Sequence, residues 1–303
     1  MTEFTDASPL ADLGPVGVWA AGFGGMRNDT LADIAAGIEQ LGYGSVWFPE
    51  SPAGEPFVRS ALVLAATSTL VAGTGIANLW LRHPLTMTAT ARSLVDAFPD
   101  RFLVGVGVSH SLMVDALMPT AYTKPLTITR EYLDGMDAGA AMGAGSGPRP
   151  PRVLAALGDR MLALARDRAD GAHPYLVTPE HTAHARDVLG AGKVLVPEQA
   201  VVLSTDRSVV LERARAHLSI YLRLENYRNN WVRLGFGDAD FADGGSERLC
   251  DALVAGGDED SVRARIAAHL EAGADHVVIQ ALGDSLRTVP LEQLRALAPA
   301  LTR

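Results

Sequence analysis

Short runs of β-branched and apolar residues alternate with helix-length segments along almost the whole chain. The predicted strands are Val16–Trp19, Ser45–Phe48, Leu70–Ile76, Phe102–Val108, Val153–Leu157, Ala172–Val177, Val194–Leu203 and His276–Gln280. The predicted helices include Asn28–Leu41, Phe57–Thr69, Pro84–Phe98, Arg160–Ala169, Pro179–Leu189, Ser208–Leu224, Ser261–Glu271 and Leu291–Leu301. Strands that alternate with helices form parallel βαβ units. Eight such units in 303 residues predict an α/β fold of the (β/α)8 TIM-barrel class.

A doubly wound parallel sheet is the alternative fold. Such sheets bind dinucleotides through a GxGxxG turn after a strand, with an acidic residue further on. The nearest candidate, the run from Gly105 to His110, lacks the third glycine. The sequence therefore favours the barrel.

Two segments interrupt the regular alternation and predict insertions after strands 4 and 7. The first covers residues 109–151 and ends in the Gly/Pro-rich run 143–151. The second covers residues 222–258 and is interpreted as an extra helical excursion. In a barrel, both would lie at the C-terminal face, where active sites form. We predict one domain over residues 1–303.

Charge and cysteine content limit the function classes. The net charge of −9 argues against binding to nucleic-acid phosphates, which requires clustered Lys and Arg. A single cysteine, Cys250, excludes an internal disulfide framework. The N-terminus has neither a basic nor an apolar export segment, which predicts a cytoplasmic protein. The uncharged stretch from Ser60 to Leu81 is predicted to be a buried helix followed by a buried strand, and no membrane association is expected.

Polar or small residues at the carboxyl ends of the predicted strands are the site candidates, because barrel active sites form there. They include Trp19, Glu50, Asn78, Ser109, His110, Gly158, Arg160 and Thr178. Each also has a structural interpretation. Glu50 could be a solvated loop carboxylate, and His110 could be a structural histidine. Glu198, inside an apolar strand, would need a partner such as an arginine if it were ionised. His181 and His184 lack the acidic neighbours of a metal site, so no metal is predicted.

The turn from Ala155 to Met161 predicts an anion site. A strand ends in small residues, Gly158 permits close backbone approach, and a helix begins at once. The free N–H groups of a helix N-terminus attract anions, and Arg160 could add a charge-assisted contact. A plain βα turn with Asp159 as a first-turn acid is the alternative.

At these residues the chain resembles the luciferase-like monooxygenase superfamily, and within it the actinobacterial deazaflavin-dependent oxidoreductases. The resemblance covers nearly the whole chain. It is most specific, in order and spacing, at residues 17–19 (GVW), 45–51 (SVWFPES), 73–84 (GTGIANLWLRHP), 99–107 (PDRFLVGVG) and 172–182 (AHPYLVTPEHT).

The resemblance implies a barrel that binds a flavin or 5-deazaflavin at its C-terminal face. Strand 3 of such proteins carries a bulge, often with a cis non-prolyl peptide, that supports the ring; Gly75 and Ile76 match that place. Glu50 falls near the reactive ring and Asn78 at the ring edge. The family's phosphate-binding turn matches Ala156, Leu157 and Gly158. The implied cofactor site is completed by Trp19, Gly107, Ser109, His110, Arg160 and Thr178.

Two positions depart from the family pattern. Deazaflavin-dependent sugar-phosphate dehydrogenases have an acidic residue after strand 4, where this chain has His110. The phosphate turn commonly reads Gly-Pro, and Asp159 replaces that proline here. The substrate class and the affinity for the cofactor tail therefore depend on these two positions.

The resemblance implies an oxidoreductase that passes a hydride between coenzyme F420 and a small organic substrate. Glu50 and His110 are the general acid/base candidates, because a matched proton must move with the hydride. An ordinary histidine titrates near neutrality, which suits that role. A homodimer is expected. The alternatives are an FMN-dependent monooxygenase and a non-catalytic flavin-binding barrel. A cofactor-free aldolase or isomerase is disfavoured, because no lysine ends a strand.

Overall fold

The fold is built around one curled, parallel sheet. The computed structural model describes residues 13–20, 26–51, 54–111, 114–115, 122–284 and 289–302. Its strands are β1 (Val16–Trp19), β2 (Ser45–Phe48), β3 (Val71–Thr74), β4 (Ala77–Asn78), β5 (Phe102–Gly107), β6 (Arg152–Leu154), β7 (Gly171–Ala172), β8 (Val194–Leu195), β9 (Glu198–Leu203), β10 (Val254–Gly257) and β11 (Val277–Ala281). Ten of these strands follow one another in the order β10-β9-β11-β1-β2-β3-β5-β6-β7-β8, and β4 pairs with β5.

Helices follow most of the strands in the chain. They are α1 (Asn28–Gln40), α2 (Pro56–Ala66), α3 (Pro84–Ala97), α4 (Pro125–Ala141), α5 (Asp159–Arg168), α6 (Pro179–Leu189), α7 (Arg207–Tyr221), α8 (Glu225–Arg233), α9 (Asp238–Phe241), α10 (Glu247–Leu253), α11 (Glu259–Glu271) and α12 (Leu291–Leu301). Because every strand pair is parallel, the carboxyl ends of the strands lie at one end of the sheet, which we call the mouth.

The strands β8 and β9 follow each other in the chain but pair with different strands of the sheet. Two residues, Val196 and Pro197, separate these strands. The Val196 N–H donates to the carbonyl of Ala172 on one side, at 2.9 Å, and the Pro197 carbonyl accepts from the N–H of Val278 on the other, at 2.9 Å. The predicted single strand Val194–Leu203 is therefore wrong in this detail. Proline has no N–H to give to a ladder, and the chain changes its pairing partner at that residue.

The segment 222–258 is not wholly helical. Near its end, Val254–Gly257 form β10, which pairs in parallel with β9 and extends the sheet beyond the predicted strands. The run Val-Ala-Gly-Gly is too short and too rich in glycine to show a strand periodicity. The predicted strands Val153–Leu157 and Ala172–Val177 are also shorter in the structure, since β6 ends at Leu154 and β7 at Ala172.

The interior of the curled sheet is filled by large apolar side chains from most of its strands. The buried cluster inside the sheet contains Leu13, Trp19, Trp47, Val71, Leu103, Val153, Val196 and Val278. Separate clusters join the outer face of the sheet to the helices. The predicted passage from a buried helix into a buried strand within residues 60–81 is confirmed by α2 and β3.

Some sequence predictions fall on residues that the structure does not describe. These are the N-terminal segment 1–12 and, within the predicted insertion 109–151, residues 112–113 and 116–121. None of the described helices combines the length and the apolar character that crossing a membrane would require.

Candidate active site

The predicted bulge in the third strand is present at the mouth. The chain leaves β3 at Thr74 and pairs again as β4 from Ala77, and the Gly75–Ile76 peptide bond between them is cis. The Gly75 N–H donates to the carbonyl of Phe48 at 2.8 Å, and the Ile76 carbonyl accepts from the N–H of Glu50 at 3.2 Å. The bulge is thus tied to the end of β2 on both of its sides.

Gly107 provides the space that the Ile76 side chain occupies. A Cβ on Gly107 would lie 2.7 Å from Ile76 Cγ1 and 3.0 Å from Ala155 Cβ, closer than carbon atoms approach. A side chain at this position would therefore push Ile76 out of place and change the surface of the bulge. Gly75 and Ile76 are both partly exposed at the mouth.

Glu50 is held in an ion pair beside the bulge. Arg82 binds both of its carboxylate oxygens, with the bond from Arg82 Nη2 to Glu50 Oε1 at 2.7 Å. The Asn78 N–H also donates to Glu50 Oε2, at 2.8 Å. Arg82 additionally pairs with Glu55 and lies 5.0 Å from the ring centre of Phe57. Since both oxygens of Glu50 are engaged, a proton transfer to this carboxylate would disturb the ion pair.

Arg82 was not among the predicted site residues. Its sequence signal is weak, because it lies four residues after a short strand and immediately before a histidine that begins a helix. His83 caps the start of α3, since its Nδ1 accepts from the Leu85 N–H at 3.2 Å. The side-chain oxygen Oδ1 of Asn78 accepts a hydrogen bond from the Trp80 N–H at 3.0 Å. Among the described residues, the amide nitrogen of Asn78 has no partner.

Two buried nitrogen atoms converge on Gly75. Trp19 Nε1 and His173 Nε2 would lie 2.8 Å and 3.1 Å from a Cβ at Gly75. Neither nitrogen has a hydrogen-bond partner in the described part of the chain. His173 donates from Nδ1 to the carbonyl of Val196 at 2.7 Å, because a carbonyl accepts only, and its ring stacks on Trp47 at 4.6 Å. Burial lowers the pKa of His173 to about 4, so its Nε2 presents a lone pair.

His110 follows β5 at the same mouth and is largely buried. Its Nδ1 has no partner among the described residues, and its ring centre lies 5.4 Å from that of Tyr227. Burial lowers the pKa of His110 to about 4. The expectation of a histidine that titrates near neutrality is therefore corrected. At pH 7 the imidazole is neutral and can accept a proton, but it carries none to release as an imidazolium.

Glu198 lies inside the sheet without the arginine partner that the sequence suggested. Its Oε2 accepts from the Leu176 N–H at 3.1 Å, while Oε1 has no partner in the described residues. Burial raises the pKa of Glu198 to about 8, although the hydrogen bond from the Leu176 N–H lowers this pKa. A neutral, protonated carboxyl replaces the expected ion pair.

A cavity of about 630 Å³ adjoins the predicted anion-binding turn. It is lined by Lys124, Pro125, Leu126, Thr127, Gly158, Asp159, Arg160, Met161 and Arg233. Gly158 is the N-cap of α5, so the free N–H groups of that helix lie at the cavity wall. Three cationic side chains, Lys124, Arg160 and Arg233, therefore share a cavity with a helix N-terminus.

The acid of this turn is engaged elsewhere. Asp159 accepts from His184 Nε2 at 2.8 Å, and this contact is the first cause of the lowered pKa of Asp159. The neighbouring carbonyl of Leu157 accepts from His181 Nε2 at 2.9 Å and from Arg233 at 3.4 Å. Lys124 and Arg233 were not predicted, since Lys124 is the N-cap of α4 and Arg233 ends α8, and both helices reach the turn only through the fold.

Two predicted cofactor residues have structural partners. Ala156 is a buried member of the core between the sheet and the helices. Thr178 is the N-cap of α6 and accepts from the His181 N–H at 3.3 Å. Their predicted places at a ligand, like that of Ser109, stay predictions.

The relationship to known proteins agrees with this geometry. The sequence model of the luciferase-like monooxygenase family matches residues 15–276. The chain belongs to this family. A Mycobacterium tuberculosis protein named as a coenzyme F420-dependent oxidoreductase is 22% identical over 233 residues, which cover 63% of this chain and 67% of that protein. The actinobacterial resemblance fits this relative.

Solved luciferase-like structures share the fold. An F420-dependent secondary alcohol dehydrogenase, solved with an F420-acetone adduct, superposes with a TM-score of 0.73 at 15% identity, over 96% of this chain and 99% of that one. The oxygenating constituent of 3,6-diketocamphane monooxygenase from Pseudomonas putida, solved with FMN, has a TM-score of 0.72 at 14% identity, over 95% of this chain and 96% of that one. Proteins similar to this luciferase-like chain thus use either a deazaflavin or a flavin.

The mouth of this luciferase-like fold has the features of a site for such a ring. Nine buried side-chain nitrogen or oxygen atoms of the described residues lack a partner. Three of these atoms belong to residues at the mouth: Trp19, His110 and His173. Because buried polar groups are normally paired, a polar ligand bound at the mouth would satisfy these atoms. The residues present therefore fit a flavin-type group.

Proposed function

We propose that this protein is an F420-dependent oxidoreductase, built as a (β/α)8 barrel, that transfers a hydride to or from a small organic substrate. The observation that carries the choice of cofactor is the cavity at the start of α5. Its volume of about 630 Å³ exceeds the space that one phosphate needs, and three cationic side chains line it. The tail of F420 continues past its phosphodiester into glutamate carboxylates, whereas FMN ends at its phosphate. A spread of cations matches the longer tail better.

Bound at the mouth, F420 would supply two-electron hydride chemistry. The bulge at Gly75 and Ile76 would support the ring, and Trp19 and His173 would supply one donor and one acceptor beside it. Glu50 would act mainly by fixing the bulge, since it binds both Asn78 and Arg82. His110 is the better placed of the two predicted acid/base residues, because its Nδ1 is free of other partners in the described chain.

The protonation state of His110 favours one proton direction. A neutral imidazole at pH 7 can accept the proton that an alcohol releases as its carbon loses a hydride. In that direction bound F420 would receive the hydride from the substrate. The FMN-dependent monooxygenase stays the second candidate, because solved relatives of that kind share the fold equally well. The homodimer, the single domain and the cytoplasmic location stay predictions.

Neutralising the cavity cations tests this assignment. Arg160→Gln and Lys124→Gln should each weaken F420 binding about tenfold, the effect of losing one charge-assisted contact. Arg166→Gln is the matched control, because Arg166 lies on the same helix but pairs with Asp167 at 2.8 Å. Affinity is measured by titrating the protein against F420 and following the coenzyme's fluorescence. Equal F420 affinities in all three variants would show that the F420 tail does not bind in this cavity.

A further inference from the structure

Five ring side chains form a continuous wall along one side of the mouth. This aromatic wall consists of His110, Tyr227, Tyr221, Tyr175 and Trp19, in that order. Neighbouring ring centres lie 5.4, 5.1, 5.4 and 4.9 Å apart. Its first residue is the proposed base, and its last residue touches Gly75 of the bulge. The wall therefore runs from the place of proton transfer to the place of the ring.

Part of the wall is exposed to solvent. His110, Tyr175 and Tyr221 are partly exposed, whereas Tyr227 and Trp19 are buried behind them. Tyr221 ends α7 and Tyr227 lies on α8, both within the chain between β9 and β10. These helices thus supply the side of the mouth that a substrate would meet.

Among the described residues, the ionisable groups of the wall and its neighbours His217 and Glu198 have pKa values shifted toward their uncharged forms at pH 7. Burial lowers the pKa values of His110 and His217 to about 4, and His217 lies 5.3 Å from Tyr221. Burial raises the pKa of Glu198 to about 8 and raises those of the three tyrosines above their ordinary value. The cations that line a cavity lie instead at the start of α5. A charged substrate against this wall would lose its hydration without gaining a counter-ion.

The wall nevertheless offers hydrogen bonds. The Tyr175 hydroxyl donates to Gln280 Oε1 at 2.7 Å, so Tyr221 must donate to the Tyr175 oxygen at 3.0 Å. The lone pairs of the Tyr221 oxygen are then left for another donor. At the other end, His110 Nδ1 has no partner among the described residues.

The rings are also not arranged as a cage for a cation. Successive ring planes of the wall are inclined by 52°, 77°, 44° and 46°. They pack edge against face on one another, whereas a cation cage turns several ring faces toward one point.

We propose that the aromatic wall selects an uncharged substrate with a flat apolar body and one hydroxyl or carbonyl group, and disfavours anions and cations of the same shape. The proposal deepens the proposed function, because the wall would face the substrate side of the bound ring. Sugar phosphates and carboxylates are thereby disfavoured as substrate classes.

The first test compares three probes that differ in charge and share a ring: benzyl alcohol, benzoate and benzylammonium. Dissociation constants are measured at pH 7.5 by ligand-observed NMR, on the protein saturated with F420 and on the protein without it. Benzyl alcohol should bind at least about tenfold tighter than either ion, since an unpaired buried charge is penalised. Equal binding of the three, or a preference for an ion, would overturn the proposal.

The second test moves a charge into the wall. Tyr221→Lys should reverse the preference in favour of benzoate. Ile220→Lys is the matched control, because Ile220 precedes Tyr221 on α7 and is 59% exposed to solvent. An unchanged preference in Tyr221→Lys, or the same reversal in the control, would contradict the placement of the wall.

A gentler variant keeps the test decisive if Tyr221→Lys unfolds. Tyr221→Phe should narrow the difference in affinity between benzyl alcohol and toluene, and an unchanged difference would refute the role of the hydroxyl. Failure of the two proposals is distinguishable. If the wild type does not bind F420 but still prefers benzyl alcohol to the ions, only the cofactor assignment is wrong. If it binds F420 but shows no preference by charge, only the proposed role of the aromatic wall is wrong.

Discussion

The buried carboxyl of Glu198 makes the stability of this protein depend on pH in a predictable way. Glu198 is fully buried, and burial raises its pKa from an ordinary 4.5 to about 8. Between these two pH values the folded protein keeps a proton that the unfolded chain releases. The free energy of unfolding should therefore fall as pH rises, by about 1.4 kcal/mol for each pH unit. Over the whole window this amounts to at most about 5 kcal/mol.

Glu198→Gln should remove this dependence. Glutamine has the shape of the protonated acid, can accept the Leu176 N–H through its oxygen, and cannot ionise. The variant and the wild type should be equally stable near pH 4.5. At pH 8 the variant should be the more stable, by an amount that approaches the limit of about 5 kcal/mol. Below pH 4.5 and above pH 8 the difference should stop changing, since both states then hold the same charge.

Urea denaturation followed by circular dichroism, at half-unit steps from pH 4.5 to 8.5, measures the effect. Glu212→Gln is the control, because Glu212 is exposed on α7. Its difference from the wild type should not vary in this way with pH. For each protein the free energy of unfolding is plotted against pH. A Glu198→Gln plot that stays parallel to the wild-type plot, or lies below it at pH 8, would refute the neutral carboxyl.

Three further variants test the site. His110→Gln should lower kcat by about 10²–10⁴-fold with little change in F420 affinity. In the wild type, kcat plotted against pH should fall on the acidic side near pH 4. A fall near pH 6.5 would contradict the buried, neutral imidazole. Glu50→Gln should weaken F420 binding as well as turnover, because it loosens the pair with Arg82, and an unchanged affinity in the fluorescence titration would count against this anchoring. Gly75→Ala should reduce F420 affinity, since its Cβ meets two buried nitrogens. Gly37→Ala is the control, because a Cβ there has nothing within 4 Å, and its F420 affinity should not change. Equal F420 affinities in the two variants would contradict the place of the ring at the bulge.

Regular alternation in the sequence predicts most of the sheet, because the strand and helix periods differ. The bounds of β1 and β2 are confirmed without change. The break at Pro197 and the strand β10 could not be predicted, since each depends on which neighbour the backbone pairs with. A periodicity shows which face is buried but not which strand lies beside it.

The site is predictable where its residues follow strands, and not where they come from the helices of the insertions. The place of the bulge at Gly75 and Ile76 came from the family pattern, and the structure has it there. Lys124, at the start of α4, and Arg233, on α8, reach the cavity only through the packing of the insertions around the sheet. Arg82, in the turn between β4 and α3, is recognised only through its ion pair with Glu50. The protonation states of His110 and Glu198 likewise depend on burial, which a sequence position alone does not give.

The central claim is that the mouth and the cavity hold a deazaflavin with an anionic tail. A side-by-side equilibrium titration of the purified protein with F420 and with FMN, each followed by the fluorescence of the ligand, tests it most directly. The account predicts saturable binding of F420 and binding of FMN that is weaker by at least about tenfold, because FMN lacks the carboxylates that the further cations would hold. FMN that binds as tightly as F420, or more tightly, would contradict the account and favour the monooxygenase.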